Sequence, residues 1–135
     1  MHLWAEKPAA PDLQPVTIAH LTMKVPNIER ASHFYQEVLG MPLLRVEADP
    51  YYLGVGNSFM GLQPGGSNHA YIDHFSLGLM NFNAQGILAR LAEKGVAIEG
   101  EAGDETVRFL DPDGLHIQLS STDYAMKQTI YRLKE

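Results

Sequence analysis

Asp111-Pro112-Asp113-Gly114-Leu115-His116-Ile117-Gln118-Leu119-Ser120 is a tight turn followed by strict alternation. Proline fixes one turn dihedral and glycine permits the left-handed one, so the first four residues reverse the chain. Read as a strand, the rest puts Leu115, Ile117 and Leu119 on one face and His116, Gln118 and Ser120 on the other. A sheet covered by helices on one side needs only the leucine face. The polar face is then free to line a cleft.

Two earlier stretches split in the same way. In Val16 to Val25, Ala19, Leu21, Met23 and Val25 form an apolar face, while Ile18, His20, Thr22 and Lys24 point the other way. In Tyr71 to Met80, Phe75, Leu77 and Leu79 oppose His74, Ser76 and Gly78. Each strand leads into a helix capped by asparagine. Asn27 starts one with Glu29 in its first turn, a stripe of Ala31, Phe34, Tyr35 and Val38, and a stop at Gly40. Asn83 starts the other, with Ala84, Ile87, Leu88 and Leu91 as its stripe and Lys94-Gly95 as its end. Pro42 to Glu47, Tyr51 to Val55 and Phe59 to Gln63 read as strands after the first helix. Val96 to Glu99, Thr106 to Leu110 and Leu115 to Ser120 read as strands after the second. Asp49-Pro50 and Gly56-Asn57 mark turns.

A β-α-β-β-β unit is therefore written twice, at an offset of about 54 residues that lays His20 on His74 and Gly61 near Gln118. Two copies related by a pseudo-twofold axis place their first and last strands around one concavity. The expected organisation is an extended Pro-rich arm at 1–15 and one domain at 16–121. That domain divides into a first module at 16–64, a linker at 65–70 and a second module at 71–121, with a helix or tail at 122–135. Trp4 in the arm reads as an apolar anchor on the domain or on a second chain.

Composition narrows the chemistry. The 135 residues carry a net charge of −6 with scattered Lys and Arg, which argues against nucleic acid as a general partner. There is no cysteine, hence no thiolate nucleophile, disulfide or Cys-based metal site, and any metal must sit on His, carboxylate or amide donors. No apolar run approaches a membrane span, residues 1–15 do not read as an intact signal peptide, and cytoplasm is the default location. No Ser-His-Asp set and no phosphate loop stands out. His33 and His69 read as solvated and His2 belongs to the arm. Arg108 is a candidate anchor for an anionic ligand, and Phe59 and Gly61 share the uncovered face of their strand.

The segments His20-Leu21-Thr22-Met23-Lys24-Val25, Phe34-Tyr35 through Leu39-Gly40-Met41-Pro42, Asp73-His74-Phe75 and Phe109-Leu110-Asp111-Pro112-Asp113-Gly114 resemble the vicinal oxygen chelate superfamily of glyoxalase, bleomycin-resistance and extradiol-dioxygenase relatives. The resemblance spans residues 16 to 121. It implies an α+β fold in which two tandem βαβββ modules form an open, cupped mixed sheet with helices on its outer face. It also implies a divalent metal (iron, manganese, nickel or zinc) held by His20, His74 and Gln118, with His116 as a further candidate ligand. Phe59, Gly61, Arg108 and His116 would line the substrate cleft. Gln118 stands where the superfamily has a carboxylate, and Gly61 where some members have a fourth ligand. Implied functions are glyoxalase-like lyase or isomerase chemistry, or dioxygenase-like chemistry, on a small oxygenated organic molecule. The competing reading is a metal-free protein that sequesters a small molecule in the same cleft. A homodimer is expected on the same resemblance, with neither nucleic acid nor membrane as partner.

Overall fold

The computed structural model describes residues 13–45, 51–103 and 105–124. Expectations for the N-terminal arm before Leu13, for the Asp49-Pro50 turn and for a helix beyond Tyr124 fall outside these residues. The first unit runs β1 (Thr17–Val25), α1 (Ile28–Leu39), β2 (Leu43–Arg45), β3 (Tyr51–Val55) and β4 (Ser58–Pro64). The second runs β5 (Tyr71–Leu79), α2 (Ala84–Glu93), β6 (Ile98–Glu99), β7 (Thr106–Leu110) and β8 (His116–Ser121).

All eight strands form one sheet in the order β2-β3-β4-β1-β5-β8-β7-β6. The units meet edge to edge where β1 pairs antiparallel with β5, while β1–β4 and β5–β8 are parallel. The sheet is mixed and open, as the sequence implied. α1 packs over β3 and β4, and α2 over β7. Beneath α1 lies a core of Val25, Leu53 and Leu62, and beneath α2 one of Leu79, Ile87, Leu91, Val107 and Leu119. Both helices start as expected, with the Asn27 side chain accepting from Arg30 N–H and the Asn83 side chain from Gly86 N–H. Gly40 ends α1 in the left-handed conformation.

Three details differ from the sequence reading. In α1, Phe34 and Val38 are more than half exposed, and the helix seats itself through Ile28, Ala31, Ser32 and Tyr35. Ser32 is fully buried, and so small a side chain lets the helix approach the sheet closely. Leu115 lies outside β8 and is exposed. The Asp111 carboxylate accepts from both Asp113 N–H and Leu115 N–H, so the turn extends one residue further and the strand begins at His116.

The third difference lies in the β1–β5 ladder, which carries two bulges. Ile18 pairs with Leu77 but His20 pairs with Ser76, so Ala19 is an extra residue on β1 and Ile18 does not share the face of His20. Thr22 pairs with His74 but Met23 pairs with Ile72, so Asp73 is an extra residue on β5. Both histidines sit beside a bulge.

Candidate functional site

Parallel pairing of each first strand with its fourth sets a matched frame of residues. In the first unit His20 lies beside Phe59, Thr22 beside Gly61, and Gly61 beside Tyr52. In the second, Ser76 lies beside Gln118 and Gln118 beside Arg108, and one step beyond the Phe75–Ile117 pair that starts the ladder come His74 and His116. The pseudo-twofold thus matches His20 with His74, Gly61 with Gln118, Phe59 with His116 and Tyr52 with Arg108.

At the centre the two histidines face each other, with His20 Nε2 and His74 Nε2 3.4 Å apart and the rings nearly perpendicular. Both are buried, at 5% and 6% exposure, so their protonation is governed by the protein and not by bulk water. Burial pushes His20 down to about 3, with the charges of His74 and Arg108 acting in the same direction. Burial also holds His74 below the ordinary imidazole range, outweighing its hydrogen bond to Asp73, which acts upward. Both rings are neutral near pH 7.

Asp73 fixes the tautomer of one of them. Adjacent strand residues normally point to opposite faces. The bulge at Asp73 swings its carboxylate to the His74 side, where Oδ2 lies 2.8 Å from His74 Nδ1. Burial raises the Asp73 carboxyl, but the His74 hydrogen bond and the charges of His74, Lys24 and His116 outweigh it and hold it below its ordinary value. An ionised Asp73 can only accept, so Nδ1 carries the proton and Nε2 presents a lone pair toward His20. Asp73 has no counterpart on His20, whose Nδ1 is buried without a hydrogen-bond partner among the described residues.

His20 is held by stacking instead. Phe59 lies flat against it at 4.5 Å, Tyr124 covers it at 5.7 Å, and Tyr52 packs on Phe59 at 4.3 Å. The space over Gly61 is taken: a Cβ there would stand 3.1 Å from Thr22 Oγ1 and 3.6 Å from Tyr52 Cε1. Thr22 is the close neighbour and the Tyr52 ring stands at ordinary contact distance, so no open path to the Gly61 backbone lies on that side.

Gln118, 2% exposed, adjoins the pair through Ser76. Arg108 Nε donates to its Oε1 at 3.1 Å, and because a guanidinium only donates, the amide oxygen must face it. The Gln118 nitrogen then points at the Ser76 hydroxyl, which is hydrogen-bonded to Ser120. His116 does not turn to the histidine pair. Its Nδ1 is bound by the Glu99 carboxylate at 2.9 and 3.0 Å, on the exposed side of a cavity of about 240 Å³. Asp73, His74, Glu99, Arg108 and His116 line that cavity.

The donor chemistry can be tested against a divalent metal. Two imidazole nitrogens bound at about 2.0–2.1 Å in tetrahedral geometry stand about 3.3–3.4 Å apart. The observed 3.4 Å matches that separation, whereas a good N–H···N hydrogen bond would be shorter. A carbonyl oxygen has two lone pairs, so Gln118 can still offer one beside its bond to Arg108. The set is two imidazoles and an amide, which together are neutral and suit zinc, iron, nickel or copper better than a hard, oxygen-seeking cation. Among the described residues no cluster of three His, Asp or Glu side chains has metal-binding geometry. Asp73, Tyr52, Tyr124 and Glu99 escaped the sequence reading. Only Asp73 carried a local sign, an acid directly before a cleft histidine.

A duplicated βαβββ sheet with one buried histidine from each copy meeting at its centre defines a fold class, and the sequence agrees with it. Residues 17–119 match the Glyoxalase/Bleomycin resistance protein/Dioxygenase superfamily, and the chain belongs to that superfamily. Among solved structures it is similar to a halotolerant catechol dioxygenase, at 20% identity and a TM-score of 0.66, over 82% of this chain and 40% of that one. It is similar to the complex of homoprotocatechuate 2,3-dioxygenase from Brevibacterium fuscum with 3,4-dihydroxyphenylacetate, at 19% identity and a TM-score of 0.69. That match covers 86% of this chain and 39% of the other. A room-temperature extradiol ring-cleaving dioxygenase from the same organism matches at 18% identity and a TM-score of 0.68, over 91% and 39% of the two chains. At such identities the likeness is one of fold, and the chain spans about two fifths of the length of these structures. No helix among the described residues is long and apolar enough to cross a membrane.

Proposed function

We propose that the chain is a metal-dependent enzyme acting on a small oxygenated organic molecule, with His20 and His74 as metal ligands and the Gln118 amide oxygen as a third. The observation that carries this reading is the convergence of two neutral, buried imidazoles at 3.4 Å, with Asp73 turning a lone pair of His74 inward. A bound divalent metal would act there as a Lewis acid toward two neighbouring substrate oxygens. The protein's own contribution is orientation and exclusion of water. Asp73 keeps the His74 proton on Nδ1, while Phe59 and Tyr124 hold the His20 ring and shield it from solvent. Substrate enters from the second unit, where the cavity beside His74, Arg108 and His116 opens. Dioxygenase-like chemistry requires a redox-active metal and lyase or isomerase chemistry does not, so metal identity selects the assay.

The test is elemental mass spectrometry of untagged protein, paired with titration of iron(II), manganese(II), nickel(II) and zinc(II) into the chelated chain. Near-stoichiometric metal that is lost in His20→Ala supports the reading. Failure to bind any of the four would replace it with metal-free ligand sequestration. That second reading is favoured by one specific observation, the Arg108 hydrogen bond that engages the Gln118 oxygen.

A further inference from the structure

The two halves of the concave face have diverged in opposite directions at matched positions. Tyr52 and Phe59 make one half aromatic and filled, while Arg108 and His116 make the other polar and open. Arg108 lies beside Gln118 in the β7–β8 register and is held through Nε, the inner nitrogen of its fork. That contact leaves the two terminal nitrogens with no partner among the described residues. A guanidinium fixed by its inner edge presents a preorganised end-on fork whose geometry matches a carboxylate.

The other charges of the cavity are already engaged. Asp73 is turned onto His74, and Glu99 is turned onto His116. Arg108 is the one arginine or lysine lining the cavity, and although Glu99 lies opposite it in the β6–β7 ladder, that carboxylate is paired with His116 and no ion pair to Arg108 forms among the described residues. A cavity of about 240 Å³ holds a molecule of roughly a dozen heavy atoms, allowing about 20 Å³ for each, and excludes a bulky one. From this arrangement we infer that the ligand is a small carboxylate, its anionic group bound end-on by Arg108 and its remaining atoms directed toward His74. This rests on the reading of the concave face as a ligand site and does not depend on whether a metal is held there.

The experiment is calorimetric titration of full-length protein, as purified and again after chelation, with monocarboxylates graded from acetate to benzoate. Matching neutral amides from acetamide to benzamide serve as controls, and metal content is recorded for each sample. At least one carboxylate is expected to bind in both states, its amide to bind at least tenfold more weakly, and Arg108→Gln to weaken the carboxylate by roughly 10- to 100-fold. Arg108→Lys keeps the charge without the fork and is expected to fall between the two. Because Arg108 also holds the Gln118 oxygen, the variants are compared in chelated protein, so failure of the metal reading and of the carboxylate reading appear in different measurements. Equal affinity for acid and amide would overturn the inference, as would an Arg108→Gln variant that binds carboxylate normally. Absence of binding by every carboxylate tested would overturn it too.

Discussion

His20 and His74 occupy equivalent places in two copies of one unit, yet they are held by different physics. His20 is fixed by shape, stacked on Phe59 and covered by Tyr124, with one ring nitrogen left unpartnered. His74 is fixed by charge, through an Asp73 carboxylate that a bulge brings to its side. Duplication supplied the symmetric pair. One half now holds its buried histidine by stacking, and the other orients its buried histidine with a carboxylate and leaves a cavity beside it. The lesson is that in such a fold the histidine pair marks the centre, whereas the residues matched across the pseudo-twofold decide which side is filled and which is left open.

The largest expected effect is symmetric. His20→Ala and His74→Ala should each reduce metal affinity at least about 100-fold while far-UV circular dichroism stays native, since two ligands of a three-donor site are not interchangeable with water. A variant that retains full occupancy removes that residue from the site.

The next effect is asymmetric and concerns pH. A histidine whose folded pKa lies below its unfolded value binds fewer protons when folded. Stability is therefore full above the unfolded value of 6.5 and declines as pH falls toward the folded value, about 3 for His20. In chelated protein this loss should amount to a few kcal/mol at most. Replacing His20 by Phe, which can still stack on Phe59, should flatten the urea-stability profile between those pH values. An unchanged slope would place the acid sensitivity elsewhere.

Asp73→Asn probes the half that is held by charge. Because it keeps an acceptor for His74 Nδ1 but removes the charge that orients and polarises the ring, metal affinity should fall about 10- to 100-fold with little change in fold. Calorimetry that finds no change would mean that the bulge alone orients the ring. Tyr124→Ala probes the half that is held by shape and should cost about 0.5–1.5 kcal/mol of stability in urea, the scale of an aromatic pair. A larger loss would show that Tyr124 supports more than the His20 stack.

Much of this is legible in the sequence. Alternation in Thr17–Val25 and Tyr71–Leu79, asparagine caps at Asn27 and Asn83, and the repeat itself are local signals, and each appears in the folded chain. The apolar stripe of α1 was readable only in part, because periodicity does not reveal how far a helix turns when a small residue such as Ser32 makes the closest approach. Glu99 as the partner of His116 left no trace in the sequence, because the two meet only when β6 and β8 flank β7.

By itself, then, the sequence determined a duplicated βαβββ chain, one histidine on the uncovered face of each unit's first strand, and Gln118 on the uncovered face of the last strand. Periodicity and spacing depend on neighbours a few residues away, so they survive in one dimension. The tertiary structure alone decided that Asp73 shares a side with His74, that Thr22 and Tyr52 close the space over Gly61, and that Arg108 grips Gln118. Each of these depends on a bulge or on cross-strand register, where a one-residue shift reverses a face and no local pattern records it.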